Sequence, residues 1–258
     1  MNKIPRVSAI VPCYNEEMYV ASTISSLILC PSLFEIITVD DGSKDKTLEI
    51  LHLFEPRIKV IANQKNNGKG AAMVEGIKRA RGQLILFIDG HHLNIEDNHI
   101  KAITNPLLKD QADAVLGTTI VRIPDPFWRL TGFRAYWKKD LVPLLPDITT
   151  TRFGVEAYLN NHFKNKRVKV LKIKKLVHIL KQQKMSPSQA LNDYLIEFRE
   201  VAQELAIIKG VNPQLVRKIL NPKKIKTLRS LRIAVKKIND KGIIDFFKEY
   251  ILQYLNIS

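Results

Sequence analysis

The chain has 258 residues, of which 45% are hydrophobic and 26% charged, enough for one sizeable core, and it contains no run of roughly 18 apolar residues that would make a spanning helix. Its two cysteines, Cys13 and Cys30, have neither metal-type nor redox-type spacing and suit a reducing cytosol. The net charge of +16 is lopsided: up to residue 160 there are 19 Lys/Arg against 18 Asp/Glu, and beyond it 22 against 7, so a balanced first part is followed by a basic one that suits an anionic partner.

Strand-like and helix-like segments alternate from the start, which predicts a mostly parallel sheet flanked by helices. Val7 to Val11 is the first strand; Pro12 stops the apolar run too early for a signal-peptide core, and Pro12-Cys13-Tyr14-Asn15-Glu16-Glu17 leads into an amphipathic helix over about 17–29. Ile36 to Val39 is the second strand, ending in Asp40-Asp41-Gly42-Ser43 before a helix over about 44–54. Ile58 to Ala62 is the third, followed by Asn66-Asn67-Gly68-Lys69-Gly70 and a helix over about 71–80. Leu84 to Ile88 reads as a buried parallel strand and ends in Asp89-Gly90-His91-His92. Side chains alternate along a strand, so Asp89 and His91 leave this end on the same side, a geometry suited to holding a ligand.

Each of these loops has a purely structural explanation when taken alone. Asp40-Asp41-Gly42-Ser43 makes a turn and helix cap, and Asn67-Gly68 makes a tight turn. Four polar strand ends at one edge of an open α/β sheet carry more weight, because ligands bind in the crevice at the carboxyl ends of such strands. Gly68-Lys69-Gly70 lacks the upstream glycine and the following Ser/Thr of a Walker A loop, which argues against an ATPase of that type.

In order and spacing, Val7 to Glu17, Ile37 to Thr47, Asn66 to Ala72 and Leu86 to His91 resemble the nucleotide-binding half of family 2 glycosyltransferases with the GT-A fold, over about residues 5–180. The resemblance implies a nucleotide-diphosphate-sugar donor and a divalent cation. Carried onto this chain, Pro12, Tyr14 and Glu16 line the base and ribose, Asp40 or Asp41 bonds the base, and Lys69, Asp89 and Gly90 lie at the donor. Asp89 and His91 fall on the family's Asp-x-Asp metal motif, with an imidazole in place of the last acid. That exchange of a hard anionic oxygen for nitrogen predicts a preference for Mn²⁺ over Mg²⁺. His178 is the expected third protein ligand, although a lone histidine on an apolar strand is as readily a core residue.

Further on, Leu130 to Tyr136 resembles an acceptor-side segment, placing Thr131, Gly132 and Arg134 near the acceptor. Arg152-Phe153-Gly154-Val155-Glu156 resembles a segment of polyprenyl-phosphate glycosyltransferases and glucosyl-3-phosphoglycerate synthases. It implies an acceptor-side Arg152 and a catalytic Glu156, which orients the sugar or acts as general base, with Asp89 as the second catalytic group. For Glu156, a helix-start acid stabilised by the dipole is the structural alternative.

From about residue 185 the pattern is helical, with cap-plus-proline signals at Ser186-Pro187, Asn212-Pro213 and Asn221-Pro222. An apolar stripe of Ile225, Leu228, Leu231, Val235 and Ile238 is flanked by lysines and arginines, and a last helix is expected over about 243–255. Such basic helices pack on the catalytic domain or on a second copy in a homodimer, or they lie on anionic membrane. No nucleic-acid-binding motif accompanies the charge.

The expectation is therefore an α/β GT-A domain over 1–182 with a basic helical appendage over 183–258. Its activity would be metal-dependent transfer of a sugar from a nucleotide-diphosphate donor to polyprenyl phosphate or a small phosphorylated molecule, in the cytoplasm or peripherally at the inner face of the membrane. The contrasting expectation is a non-catalytic nucleotide-sugar-binding or membrane scaffold protein with a decayed metal site.

Overall fold

The structure is a computed structural model; it describes residues 5–118, 130–179, 181–184 and 186–221, with isolated positions between 225 and 244. The described residues divide into two compact units, one comprising 5–118, 131–152 and 162–179, the other residue 130, 153–161 and the described positions from 181 on. The stripe expected over 225–238 and the helix over 243–255 lie largely outside the described residues.

The first unit begins with the expected alternation: β1 (Val7–Cys13), α1 (Val20–Ile28), β2 (Glu35–Asp40), α2 (Thr47–His52), β3 (Lys59–Ala62), α3 (Lys69–Arg79) and β4 (Leu84–Phe87). It continues with β5 (His92–Leu93), α4 (Asp97–Leu108), β6 (Ala114–Thr118), β7 (Arg134–Trp137), α5 (Lys138–Leu141) and α6 (Leu145–Thr150). After α7 (Val155–His162) come β8 (Val168–Lys172) and β9 (Val177–His178).

Seven strands form one sheet in the order β3-β2-β1-β4-β7-β6-β8, and β5 pairs with β9 separately. The pairs β1–β2, β2–β3, β1–β4 and β6–β8 are parallel, whereas β7 runs antiparallel to both of its neighbours, β4 and β6. From β1 the chain steps outward through β2 and β3 and then returns to β4 on the other side of β1. That reversal puts a crevice at the carboxyl ends of β1 and β4, where ligands settle in open α/β sheets.

Composition explains the placement. Leu84, Ile85, Leu86 and Phe87 are all buried, as befits a central strand covered on both faces. The edge strands β3 and β8 are partly exposed and carry Lys59, Lys169 and Lys172, charges that discourage further strand pairing. In α1 the buried residues Val20, Thr23, Ile24 and Leu27 fall at i, i+3, i+4 and i+7, the stripe of an amphipathic helix. Thr23 is the polar member of that stripe.

In the second unit, α8 (Lys181–Lys184) precedes α9 (Pro187–Ile208) and α10 (Pro213–Ile219). Ser186 caps α9 in a capping box with Gln189, ahead of Pro187, and the Asn212 side chain accepts from the backbone N–H groups of Gln214 and Leu215 at the start of α10. Tyr194, Phe198, Val201, Ala202 and Ala206 of α9 form a core with Ala157 of α7 and Val216 of α10.

Candidate active site

The loops after β1 and β2 are stitched to each other. The Asn15 N–H donates to Ser43 Oγ at 2.9 Å, the Lys44 N–H donates to Asn15 Oδ1 at 2.8 Å, and the Glu16 N–H donates to Thr47 Oγ1 at 2.7 Å. Asn15 takes a left-handed φ of 55°, a region that asparagine tolerates. These bonds leave Tyr14 exposed at the rim of the crevice and Pro12 half-buried in β1, while Glu16 is turned inward.

Two adjacent aspartates end β2 with different roles. Asp41 accepts from Asn63 Nδ2 at 2.8 Å and from the N–H groups of Asn67 at 3.0 Å and Gly68 at 2.7 Å, so its carboxylate organises the loop before α3. Asp40 is 1% exposed; its Oδ2 accepts from the Ser43 N–H, and among the described residues no donor reaches its Oδ1. A buried carboxylate oxygen without a partner is costly, and a ligand N–H would satisfy it once the groups covering it move aside. Gly68 takes a φ of 98°, and a Cβ there would lie 2.8 Å from Arg152 Cγ, so glycine is required on both counts. Arg152 donates to the Asn67 carbonyl at 3.1 Å and to Asn66 Oδ1 at 3.0 Å, clamping the same loop from the other side.

The end of β4 gathers the remaining groups. Lys69, the first residue of α3, places Nζ 2.7 Å from Asp89 Oδ1, with both side chains largely buried. Gly132 backs the Asp89 carboxylate so closely that a Cβ on it would lie 2.0 Å from Oδ2. His91 sets Nδ1 2.8 Å from Glu16 Oε1. His92, 2% exposed, stacks on His91 with ring centroids 5.9 Å apart and planes 6° apart. The Thr23 hydroxyl lies 2.9 Å from the Gly90 carbonyl and 3.0 Å from that of His92, tying this turn to α1. Thr23 and His92 were not singled out from the sequence; the one polar residue in the buried stripe of α1 was the available signal.

Burial works against ionising Asp89, but Lys69 above all, then His91 and His92, holds its carboxyl well below the usual carboxylate range. Burial pushes His92 down to about 4, with Asp89 opposing, so this ring is neutral at physiological pH. The crevice thus holds a fixed carboxylate and a lysine that neutralises it.

The acceptor-side candidates are distributed unevenly. Thr131 donates through its hydroxyl to the Gly117 carbonyl at 2.7 Å and accepts from the Phe133 N–H, a role within the backbone turn. Arg134 is 1% exposed, with Nε on the Thr131 carbonyl at 2.6 Å and Nη1 on the Tyr136 hydroxyl at 3.1 Å, so it is held in the interior. Glu156 is a buried residue in the first turn of α7 and belongs to the second unit. There Gly154 allows a close approach to Glu204, and the Phe153 N–H donates to Glu200. His178 pairs through its backbone with His92 across β9 and β5.

Among the described residues, no group of three or more His, Cys, Asp or Glu side chains is arranged to hold a metal ion. Asp89 and His91 nonetheless offer an oxygen and a nitrogen donor at one strand end. That set fits a divalent cation completing its shell with diphosphate oxygens.

A family model described as Glycosyl transferase family 2 matches residues 8–174. The dodecaprenyl-phosphate galacturonate synthase of Rhizobium johnstonii is 33% identical over 119 residues, covering 43% of this chain and 35% of that protein. The undecaprenyl-phosphate 4-deoxy-4-formamido-L-arabinose transferase of Yersinia enterocolitica is 29% identical over 140 residues, covering 51% of this chain and 42% of that protein. The match therefore spans well under half the length of these curated relatives. Among solved structures, glucosyl-3-phosphoglycerate synthase from Mycobacterium tuberculosis, in complex with Mn²⁺, uridine diphosphate and phosphoglyceric acid, superimposes with a TM-score of 0.63 at 19% identity. That likeness covers 80% of this chain and 79% of the other, and it is one of fold.

Proposed function

Because the chain belongs to glycosyltransferase family 2 and has the GT-A fold, we propose that it transfers a sugar from a nucleotide-diphosphate donor to a phosphate-bearing acceptor with the help of a divalent cation. One observation carries this reading. The unpartnered buried oxygen of Asp40 and the Asp89–His91 end of β4 lie at the same carboxyl edge of the neighbouring strands β2, β1 and β4. The first is an acceptor for a base N–H, and the second is a seat for cation and diphosphate.

In this reading Tyr14 and Pro12 flank the base, Asp40 bonds it, and Asp41 with Arg152 shapes the loop beside it. Asp89 and His91 hold the cation, with His178 as the expected third ligand, and the mixed oxygen and nitrogen set favours Mn²⁺ over Mg²⁺. Bound there, the cation would supply Lewis-acid stabilisation of the departing diphosphate. Lys69 neutralises Asp89 until the donor arrives and then turns its charge to a phosphate oxygen. Gly132 leaves room for the Asp89 carboxylate. A phosphate oxygen is already nucleophilic, so an acceptor such as the polyprenyl phosphate in the names of the relatives needs no strong base. The basic stretch after residue 160 draws the protein to anionic lipid at the inner face of the membrane.

Donor turnover with Mn²⁺ tests the proposal across UDP-, GDP- and ADP-sugars with polyprenyl phosphate and phosphoglyceric acid as acceptors. Wild type is expected to turn over at least one donor, and Asp89→Ala and His91→Ala to lose on the order of 10²-fold or more. Absence of turnover in wild type with every pair would defeat the enzyme reading.

A further inference from the structure

We infer that Glu16 is a positioning residue for the cation site: it fixes the tautomer and orientation of His91 and returns, through the imidazole, the negative charge that a histidine at this position removes. The inference rests on the proposed cation site. A carboxylate only accepts hydrogen bonds, so the His91 nitrogen 2.8 Å from Glu16 Oε1 carries the hydrogen. In a ring of that tautomer Nε2 bears the lone pair, and a carboxylate behind a histidine both orients it and raises its basicity toward a metal.

The surroundings hold the pair in place. Glu16 and His91 expose only 12% and 17% of their side chains. The Glu16 backbone is tied to Thr47 Oγ1 at the start of α2, and the His91 ring runs parallel to the buried ring of His92 with centroids 5.9 Å apart. The Thr23 hydroxyl lies within hydrogen-bond reach of the carbonyls on either side of His91. Ring plane, tautomer and backbone are thereby set before a cation arrives, the preorganisation a metal site requires. Glu16 thus contributes charge to the cation from one hydrogen bond away instead of lining the ribose.

Mn²⁺ binding, followed by EPR on the 258-residue chain with UDP, GDP or ADP present in turn, tests this on wild type, Glu16→Gln, Glu16→Asp, His91→Asn and the double variant Glu16→Gln/His91→Asn. Glu16→Gln should weaken Mn²⁺ binding about 10- to 100-fold, the usual effect of losing such a partner, and Glu16→Asp should recover part of that loss. In the His91→Asn background the same change should cost under about twofold, because no ring remains to orient. Pulsed EPR of wild type should show coupling to an imidazole nitrogen that is altered in Glu16→Gln. Equal affinity of wild type and Glu16→Gln, with His91→Asn weakened, would overturn the role of Glu16 and leave the cation site standing. An equal loss in both backgrounds would also overturn it, since Glu16 would then act without the ring. If His91→Asn binds Mn²⁺ as wild type does, or wild type binds none, the cation site itself falls and the inference with it.

Discussion

Gly132 and the two aspartates of β2 show how single side chains divide the work of the crevice. A methyl group on Gly132 would fall 2.0 Å from Asp89 Oδ2, so in Gly132→Ala the carboxylate must swing aside. Mn²⁺ affinity and turnover should drop at least tenfold while urea unfolding changes by only about 1–3 kcal/mol, the range for an overpacked site. Unchanged Mn²⁺ binding would show that Asp89 is not the ligand. Asp41→Ala strips acceptors from the N–H groups of Asn67 and Gly68 and should cost about 2–4 kcal/mol in the same unfolding experiment. Asp40→Asn is expected to leave stability nearly unchanged and to raise the KM for the donor. If the two variants exchanged these effects, the assignment of base contact and loop support would be reversed. The resemblance offered Asp40 or Asp41 for the proposed base contact with no means of choosing, because the distinction lies in which loop each carboxylate faces. Glu16 is the same case. Its pairing with a histidine 75 positions away is legible only once β1 and β4 are neighbours.

At the level of elements, the alternation from β1 to β4 was legible because each strand is a short apolar run and each helix carries an amphipathic stripe ending at a turn signal. The caps at Ser186 and Asn212 were legible for the same local reason. The antiparallel insertion of β7 between β4 and β6 was not, since Arg134-Ala135-Tyr136-Trp137 carries no mark of direction and reads equally well as an acceptor loop. Nor was the join at the starts of β6 and β8, where Arg167 grips Asp113 through its backbone N–H and its guanidinium. Those hydrogen bonds pull the Asp113 carboxyl down from 3.8 to about 2. A depressed acid stabilises the fold above its unfolded pKa and stops doing so as pH falls through the folded one, so this contribution is present above about 4 and lost by about 2. The pair is largely exposed, so solvent screening keeps the contribution small. Urea unfolding should therefore show wild type slightly more stable than Asp113→Asn at pH 6 and the two converging near pH 2; a constant gap would rule out the titration.

For the whole molecule, charge gives the clearest division, with the excess of lysine and arginine carried after residue 160. No helix among the described residues is long and apolar enough to cross a bilayer. Flotation with vesicles should recover the protein on anionic but not on neutral lipid, and 0.5 M salt should release it; equal recovery on both would remove the electrostatic reading. The helix that opens at Val155 contributes Ala157 to a core shared with α9, α10, Ile225 and Ile238, a contact between distant parts of the chain that no local pattern announces. The small sheet of β5 and β9 has a thermodynamic consequence of its own. By pairing His92 with His178, it orders these two strand ends relative to each other during folding, so a ligand that needs both does not have to supply that ordering on arrival.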